Sequence, residues 1–344
     1  MKQRNINLDV LRCIGVIYIP YTHFFHCINF FMETPVEGTI MYVGVIIKNI
    51  LMVCVPMYMM LTGYLMNRRT VSLKHYLGIS KILTMYALAC IPLWIFRTLY
   101  YGEVFSLKSI FISFVHFENY CWYIAMYVGL YALMPFLNTM YHGLENKKQK
   151  TCLLAVFICF TSLPSFTNLF IPNLIPTHFT SITLITYYLM GAYLRDFADD
   201  FKLSAKKYLF IYLLTMFLAG TFVNIGSTGR LYYEAAIFLN WDNFSAVLGT
   251  PPLFLAALKA DFSKMPNWFK TVINKVSLVS LEMFVVSYAF DMMLYDKVLT
   301  YGLDRLQLLL LSPVFVAIVL ICSFLTSYPL HLIHTYIKKI TSGP

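Results

Sequence analysis

The sequence has little charge. Only 12% of its 344 residues are Asp, Glu, Lys or Arg, whereas soluble domains average about 25%. Hydrophobic residues make up 59% of the chain, which excludes an ordinary water-facing surface. The composition therefore predicts an all-α integral membrane protein.

The chain also lacks paired cysteines. It has eight cysteines, nearly all in apolar stretches, and no Cys-x-x-Cys pair. This pattern is neither a disulfide framework nor a zinc site. We interpret the cysteines as small apolar packing residues and expect no metal site.

No Pro/Ser-rich linker, long polar segment or internal repeat divides the chain. We therefore expect a single membrane domain over residues 1–344. The first apolar run contains Arg12 and His23 and has no small-residue cleavage site after it. We expect this run to remain as a membrane span rather than to be removed as a signal peptide.

Ten apolar runs are candidates for membrane spans, each of which needs about 20 mostly apolar residues. In the eighth run, Gly249-Thr250-Pro251-Pro252 is expected to break the helix. The sequence predicts a polytopic helical bundle with spans at 7–31, 39–66, 77–99, 121–141, 151–167, 179–195, 207–225, 243–259, 272–294 and 306–330.

The positive charges indicate the topology, since cytoplasmic loops are rich in Lys and Arg. With the N-terminus inside, 19 of the 26 Lys and Arg residues fall at the two ends of the chain and in the loops after even-numbered spans. Arg12 and Lys48 lie within spans. Both termini are therefore predicted to be cytoplasmic. The opposite side holds only Arg97, Lys108, Arg230, Lys297 and Arg305.

The first span carries three ionisable residues, Asp9, Arg12 and His23, which are costly in hydrocarbon. Arg12 and His23 are 11 positions apart in the sequence. On a helix this spacing puts them within roughly 20° on one face and about 16 Å apart along the axis. Alone, Arg12 could snorkel to the headgroups beside Asp9, and His23 could be a buried packing residue. Together, on one face, they favour a functional pair.

Other ionisable residues within the predicted spans include Lys48, Glu282 and Asp291. The two acids are nine residues apart, about 180° around a helix, so they cannot share one face. We expect one of them to line a central cavity and the other to lie near an end of its span.

Four motifs of the sequence resemble those of a known family. Asn7-Leu8-Asp9-Val10-Leu11-Arg12, with His23 after ten intervening residues, is similar to the opening of the integral membrane acyltransferase 3 family. The run 55–65 resembles its second-span motif, with Thr62 where serine is usual. Trp122-Tyr123-Ile124 and 130–135 resemble its fourth-span pattern, and 277–287 its late span. The four motifs occur in the family's order across most of the chain.

The resemblance implies transfer of an acyl group, commonly acetyl, from cytoplasmic acyl-CoA to a carbohydrate hydroxyl across or outside the membrane. His23 matches the family's essential histidine and Arg12 its paired basic residue. The histidine would act as a base on the hydroxyl, or would carry the acyl group transiently. Acyl-CoA is then a co-substrate with no bound cofactor, and the acceptor is a surface or lipid-linked glycan at a bacterial plasma membrane.

The donor's phosphates need cations at the cytoplasmic mouth, and Arg68, Arg69 and Lys81 are the candidates. The alternative is that these residues only mark the cytoplasmic side. On the acceptor side the candidates are Glu118, Trp122 and Tyr123. For Glu118 the alternative is a solvated loop.

The chain differs from the family pattern at three positions. An Arg-x-x-Arg motif at the third span is reduced to Lys81, and histidines common before Trp-Tyr and in the late span are Tyr120 and Ser287. Two other functions remain open, a glycan or lipid transporter and a sensor or scaffold descended from the enzyme. The lack of repeated halves disfavours the transporter.

Overall fold

The regular structure of the described residues is helical throughout. The computed structural model describes residues 4–104, 106–117, 119–228 and 240–341. Short 3₁₀ turns occupy Asn119–Cys121, Thr177–Ile182 and Ala198–Asp200, and no strand occurs within these ranges. The all-α prediction is confirmed. The α-helices are α1 Ile6–Cys27, α2 Phe30–Glu33, α3 Thr39–Leu51, α4 Cys54–Met66, α5 Leu73–Leu77, α6 Ile79–Tyr101, α7 Leu107–Val115, α8 Trp122–His142, α9 Lys147–Thr161, α10 Pro164–Thr167, α11 Thr183–Phe197, α12 Ala205–Ser227, α13 Phe244–Lys259, α14 Asn267–Leu278, α15 Ser280–Thr300 and α16 Arg305–Thr341.

Not every predicted span is a helix long enough to cross a membrane alone. α9 and α11 have 15 residues each and α13 has 16, fewer than the roughly 20 that a span needs. In the described chain, five helical stretches are long and apolar enough: Thr39–Met66, Leu73–Tyr101, Trp122–His142, Ala205–Ser227 and Arg305–Ile337. The bent pair α14 and α15 adds a sixth if it is counted as one span. The ten-span count and the cytoplasmic termini therefore stay predictions.

Two spans predicted as single runs are broken in the structure. The run 39–66 divides at Met52-Val53 into α3 and α4. Pro56 explains this break, since it has no N–H for the Met52 carbonyl and its ring clashes with that carbonyl. The run 272–294 divides at Val279, where α14 and α15 meet at 76°.

The helix break expected at Gly249-Thr250-Pro251-Pro252 is wrong, because α13 is continuous through both prolines. The Thr250 hydroxyl donates to the Ala246 carbonyl at 2.6 Å, and such side-chain bonds help membrane helices to tolerate proline. The helix is also packed against α12, α1 and α4. Packing on several sides therefore outweighs the local cost of the prolines.

α1 lies at the centre of the bundle, in contact with α3, α4 and α13 to α16. Its start is anchored by Asn7, whose side-chain amide donates to the carbonyls of Ala257, Leu258 and Ala260 at the end of α13. Further along, Leu11 and Phe24 are fully buried. This central position brings the polar residues of α1 against several other helices.

α4 and α11 pack in direct backbone contact through two glycines. A Cβ atom at Gly63 would collide with the Tyr188 carbonyl, and one at Gly191 with the Met60 carbonyl. Membrane helices associate closely where such small residues face each other. This contact fixes α4, and with it the run 55–65, against the rest of the bundle.

We expect Gly63→Ala to destabilise the protein by about 1–3 kcal/mol, because the added methyl forces two backbones apart. The measurement is unfolding of the purified protein in detergent. Gly129→Ala is the matched control, since Gly129 lies in α8 with nothing within 4 Å of an added Cβ. Equal stability of the two variants would contradict the close packing of α4 on α11.

Candidate active site

Arg12 and His23 of α1 open onto the same internal cavity, which has a volume of about 1110 Å³. The expectation that the two residues share one helix face is confirmed by this geometry. α3 and α4 contribute Lys48 and Tyr58 to the cavity, and α15 contributes Phe284 near its start. Both breaks in the predicted spans lie at its wall, where irregular backbone at membrane depth is tolerated.

His23 is paired with a carboxylate on α15. Its Nδ1 lies 3.0 Å from Oδ2 of Asp291. The Asp291 side chain is fully buried, whereas 17% of the His23 side chain is exposed. With Asp291 ionised and His23 neutral, Nδ1 carries the hydrogen and Nε2 keeps its lone pair, because an ionised carboxylate only accepts hydrogen bonds. The pair thus leaves one basic nitrogen for a ligand.

Tyr120 packs on the imidazole of His23, with the two ring centroids 3.7 Å apart. Its hydroxyl lies 3.6 Å from the Cys27 sulfur, and its ring meets Tyr288 edge to face. This aromatic contact restricts rotation of the His23 ring.

Arg12 is held by a buried carboxylate. Its Nη1 donates to Asp9 at 2.8 Å, and Asp9 also accepts from Arg4 at 2.7 Å and from Ser277 at 2.6 Å. The Tyr58 hydroxyl donates to the Arg12 carbonyl at 2.9 Å. Arg12 therefore pairs with Asp9 and also lines the cavity. A guanidinium has five N–H donors, so Arg12 retains donors for a ligand.

The predicted donor-phosphate residues lie outside the cavity wall. Arg68, Arg69 and Lys81 are exposed, and none is among the described residues that line the cavity. Their neighbours Met66 and Ile82 do line it. The three cations thus lie next in sequence to residues of the cavity wall, at the end of α4 and the start of α6.

Two of the predicted acceptor-side residues line the cavity, and the third cannot be placed. Trp122 stacks on Trp241 with centroids 6.1 Å apart and planes at 21°. Tyr123 meets Phe284 edge to face at 5.7 Å. Glu118 lies outside the described residues. The aromatic side chains form one wall of the cavity.

Sequence reasoning identified Asp291 as an intramembrane acid but did not pair it with His23. The structure separates the two acids of α15 as expected from their spacing, but neither is among the described residues that line the cavity. Oε1 of Glu282 lies 2.9 Å from Nδ1 of His331 on α16, whereas Asp291 contacts His23 on α1. The signal for the missed pairing was the presence of one acid and one histidine in separate apolar spans.

The comparison with known families decides the identity. The model of the acyltransferase 3 family, described as an acyltransferase domain, matches residues 5–331. The chain belongs to this family. As a family member it is a membrane acyltransferase, a transferase that acts on groups other than aminoacyl groups. No curated protein and no solved structure gives a match to this acyltransferase.

Proposed function

We propose that this acyltransferase moves an acetyl group from cytoplasmic acetyl-CoA to a hydroxyl of a cell-surface or lipid-linked carbohydrate. The observation that carries the proposal is His23, which is paired with the buried Asp291 and lines a cavity that Arg12 also lines. A bacterial plasma membrane is the proposed location.

His23 would act as the general base. Nε2 removes the proton of the acceptor hydroxyl as its oxygen attacks the thioester carbonyl. Asp291 stabilises the imidazolium that forms and holds the ring in the required tautomer. When the tetrahedral intermediate collapses, the C–S bond breaks, and Nε2 returns the proton to the sulfur. The products are the O-acetyl ester and CoA.

A second route uses the same nitrogen as a nucleophile. Nε2 attacks the thioester carbonyl, the C–S bond breaks, and CoA leaves as the thiolate. The acceptor hydroxyl then attacks the transient acetyl-histidine, the C–N bond breaks, and the hydroxyl proton ends on the CoA sulfur. Both routes require Nε2 to be unprotonated at the start. Both therefore depend on the hydrogen bond from Nδ1 to Asp291.

The donor would enter from the end of the cavity that Arg12 occupies. Arg12 lies about 16 Å before His23 along α1, so the extended arm of CoA would run between the two residues. Arg12, with Arg68, Arg69 and Lys81 near the mouth, would bind the donor's phosphates. Trp122 and Tyr123 belong to the acceptor side, where flat aromatic surfaces suit the apolar faces of a sugar ring.

Arg12→Gln is expected to raise KM for acetyl-CoA about 10-fold or more, the loss of one charge-assisted contact. We expect kcat to change less, because Arg12 is distant from the reacting atoms. Steady-state kinetics with the purified protein in nanodiscs measures both. Arg12→Lys keeps the charge without the planar guanidinium, so its KM for acetyl-CoA should lie between those of the native protein and Arg12→Gln. An unchanged KM for Arg12→Gln would remove Arg12 from the donor site.

The proposed function is tested by supplying acetyl-CoA labelled in its acetyl group to membranes with and without the protein. The expected result is label in a glycan or lipid-linked sugar fraction, released by mild alkali as an ester requires. Label absent from carbohydrate, or bound through an alkali-stable amide, would contradict the proposal. Movement of unmodified glycan across the membrane without acetyl transfer would favour the transporter.

A further inference from the structure

Lys48 lines the cavity as a cation with no carboxylate partner among the described residues. It lies in α3, nine residues and about 14 Å from the start of that helix. In residues 4–104, 106–117, 119–228 and 240–341, the one hydrogen bond of its Nζ is to the Thr22 carbonyl, at 3.4 Å. Within the same ranges no carboxylate oxygen lies within 4.0 Å of this nitrogen. Because an ammonium has three donors, Lys48 retains donors for a ligand.

Three other partly buried cations do have carboxylate partners. Arg12 is paired with Asp9, Arg97 with Glu103, and Arg305 with Glu33. An ionised lysine at this depth is unfavourable unless it meets an anion or water. The exception at Lys48 therefore points to a ligand rather than to a structural ion pair.

A second polar group of the same cavity wall is also unsatisfied. The Thr22 hydroxyl is buried without a hydrogen-bond partner in the described chain. Both Thr22 and Lys48 line the cavity, and the Lys48 Nζ lies 3.4 Å from the Thr22 carbonyl oxygen. An ammonium and a hydroxyl that can both donate to one anion thus lie together on the wall.

The position of this cluster relative to His23 indicates which substrate it serves. Thr22 directly precedes His23, and His26, one turn later, lines the same cavity as Lys48. Arg12 is three turns away in the opposite direction along α1. The cluster is therefore beside the reacting end of the cavity, away from the proposed donor entrance.

We propose that Lys48 and Thr22 bind an anionic group, a phosphate or a carboxylate, that the acceptor sugar carries. The assignment to the acceptor rests on the proposed function. The chemistry required is a small oxyanion, which accepts hydrogen bonds from an ammonium and a hydroxyl together. A phosphate-linked sugar or a sugar acid would supply it.

The test measures binding of three amphiphiles to the full chain in phosphatidylcholine nanodiscs, corrected with empty nanodiscs. The probes are octyl glucuronide, octyl phosphate and the uncharged octyl glucoside. We expect at least one anionic probe to bind about 10-fold or more tightly than octyl glucoside, the gain of a charge-assisted contact. The probe that binds more tightly distinguishes carboxylate from phosphate.

Lys48→Met should reduce this preference to less than about threefold, and Lys48→Arg should retain it. Thr22→Val removes the hydroxyl at constant shape and should weaken the anionic probe with little effect on octyl glucoside. Lys297→Met, at an exposed position of α15, is the matched control and should bind as the native protein does. Equal binding of all three probes, or a preference that survives Lys48→Met, would overturn the anion site.

These binding measurements use no acetyl-CoA, so the two proposals can fail separately. Lys48-dependent binding of the anionic probes in a protein that transfers no acetyl group would contradict only the proposed function. Acetyl transfer to carbohydrate with no charge preference at Lys48 would contradict only the anion site.

Discussion

His23→Ala is expected to lower kcat/KM for acetyl transfer by about 10²–10⁴-fold, the contribution of a positioned general base. The loss should appear in kcat, because the imidazole acts on the hydroxyl proton during the reaction. An acetyl-histidine route predicts a loss at least as large, since the nucleophile itself would be absent. The measurement is the rate of label transfer from acetyl-CoA with purified protein.

His26→Ala is the matched control for this experiment. His26 also lines the cavity on α1, but it is exposed and has no carboxylate partner among the described residues. We expect it to keep most of the activity. Both variants must retain the thermal stability of the native protein. Equal losses in the two variants, or full activity of His23→Ala, would exclude His23 as the base.

Asp291→Asn should lower kcat by about 10²–10⁴-fold while KM for acetyl-CoA stays within about threefold of the native value. The asparagine amide can donate to Nδ1 of His23, and the proton then resides on Nε2. In that tautomer the nitrogen that faces the acceptor has no lone pair to offer. The change keeps the size of the side chain, so the effect reports on hydrogen bonding rather than on packing.

Asp296→Asn provides the comparison, because Asp296 is an exposed acid on the same helix. We expect its kinetics to match those of the native protein. Asp291→Glu keeps the charge but moves the carboxylate, and should retain more activity than Asp291→Asn. A loss that appears as a raised KM with normal kcat would contradict the role of Asp291 and would indicate a general disturbance of the cavity.

The general fold could be predicted from sequence because composition and apolar run length follow directly from the demands of a membrane. The positions at which the predicted spans break could not be predicted from sequence. Pro56 breaks its span, whereas Pro251 and Pro252 do not. The difference arises from Thr250 and from the helices packed around α13, which local sequence does not specify.

The candidate site shows the same division. Arg12 and His23 could be placed on one face because helix geometry alone relates residues eleven apart. Asp291 is 268 positions from His23, so the pairing depends on how α1 packs against α15. The role proposed for Lys48 likewise depends on its position in the cavity, since the sequence shows only an ionisable residue within a span.

The most direct test of the His23–Asp291 pair is a double-mutant cycle on kcat/KM for acetyl transfer. It compares the native protein, His23→Ala, Asp291→Asn and the double variant. If Asp291 acts through His23, the double variant will be no less active than His23→Ala, within about twofold. Losses that multiply in the double variant would show that the two residues act independently and would contradict their assignment as one catalytic unit.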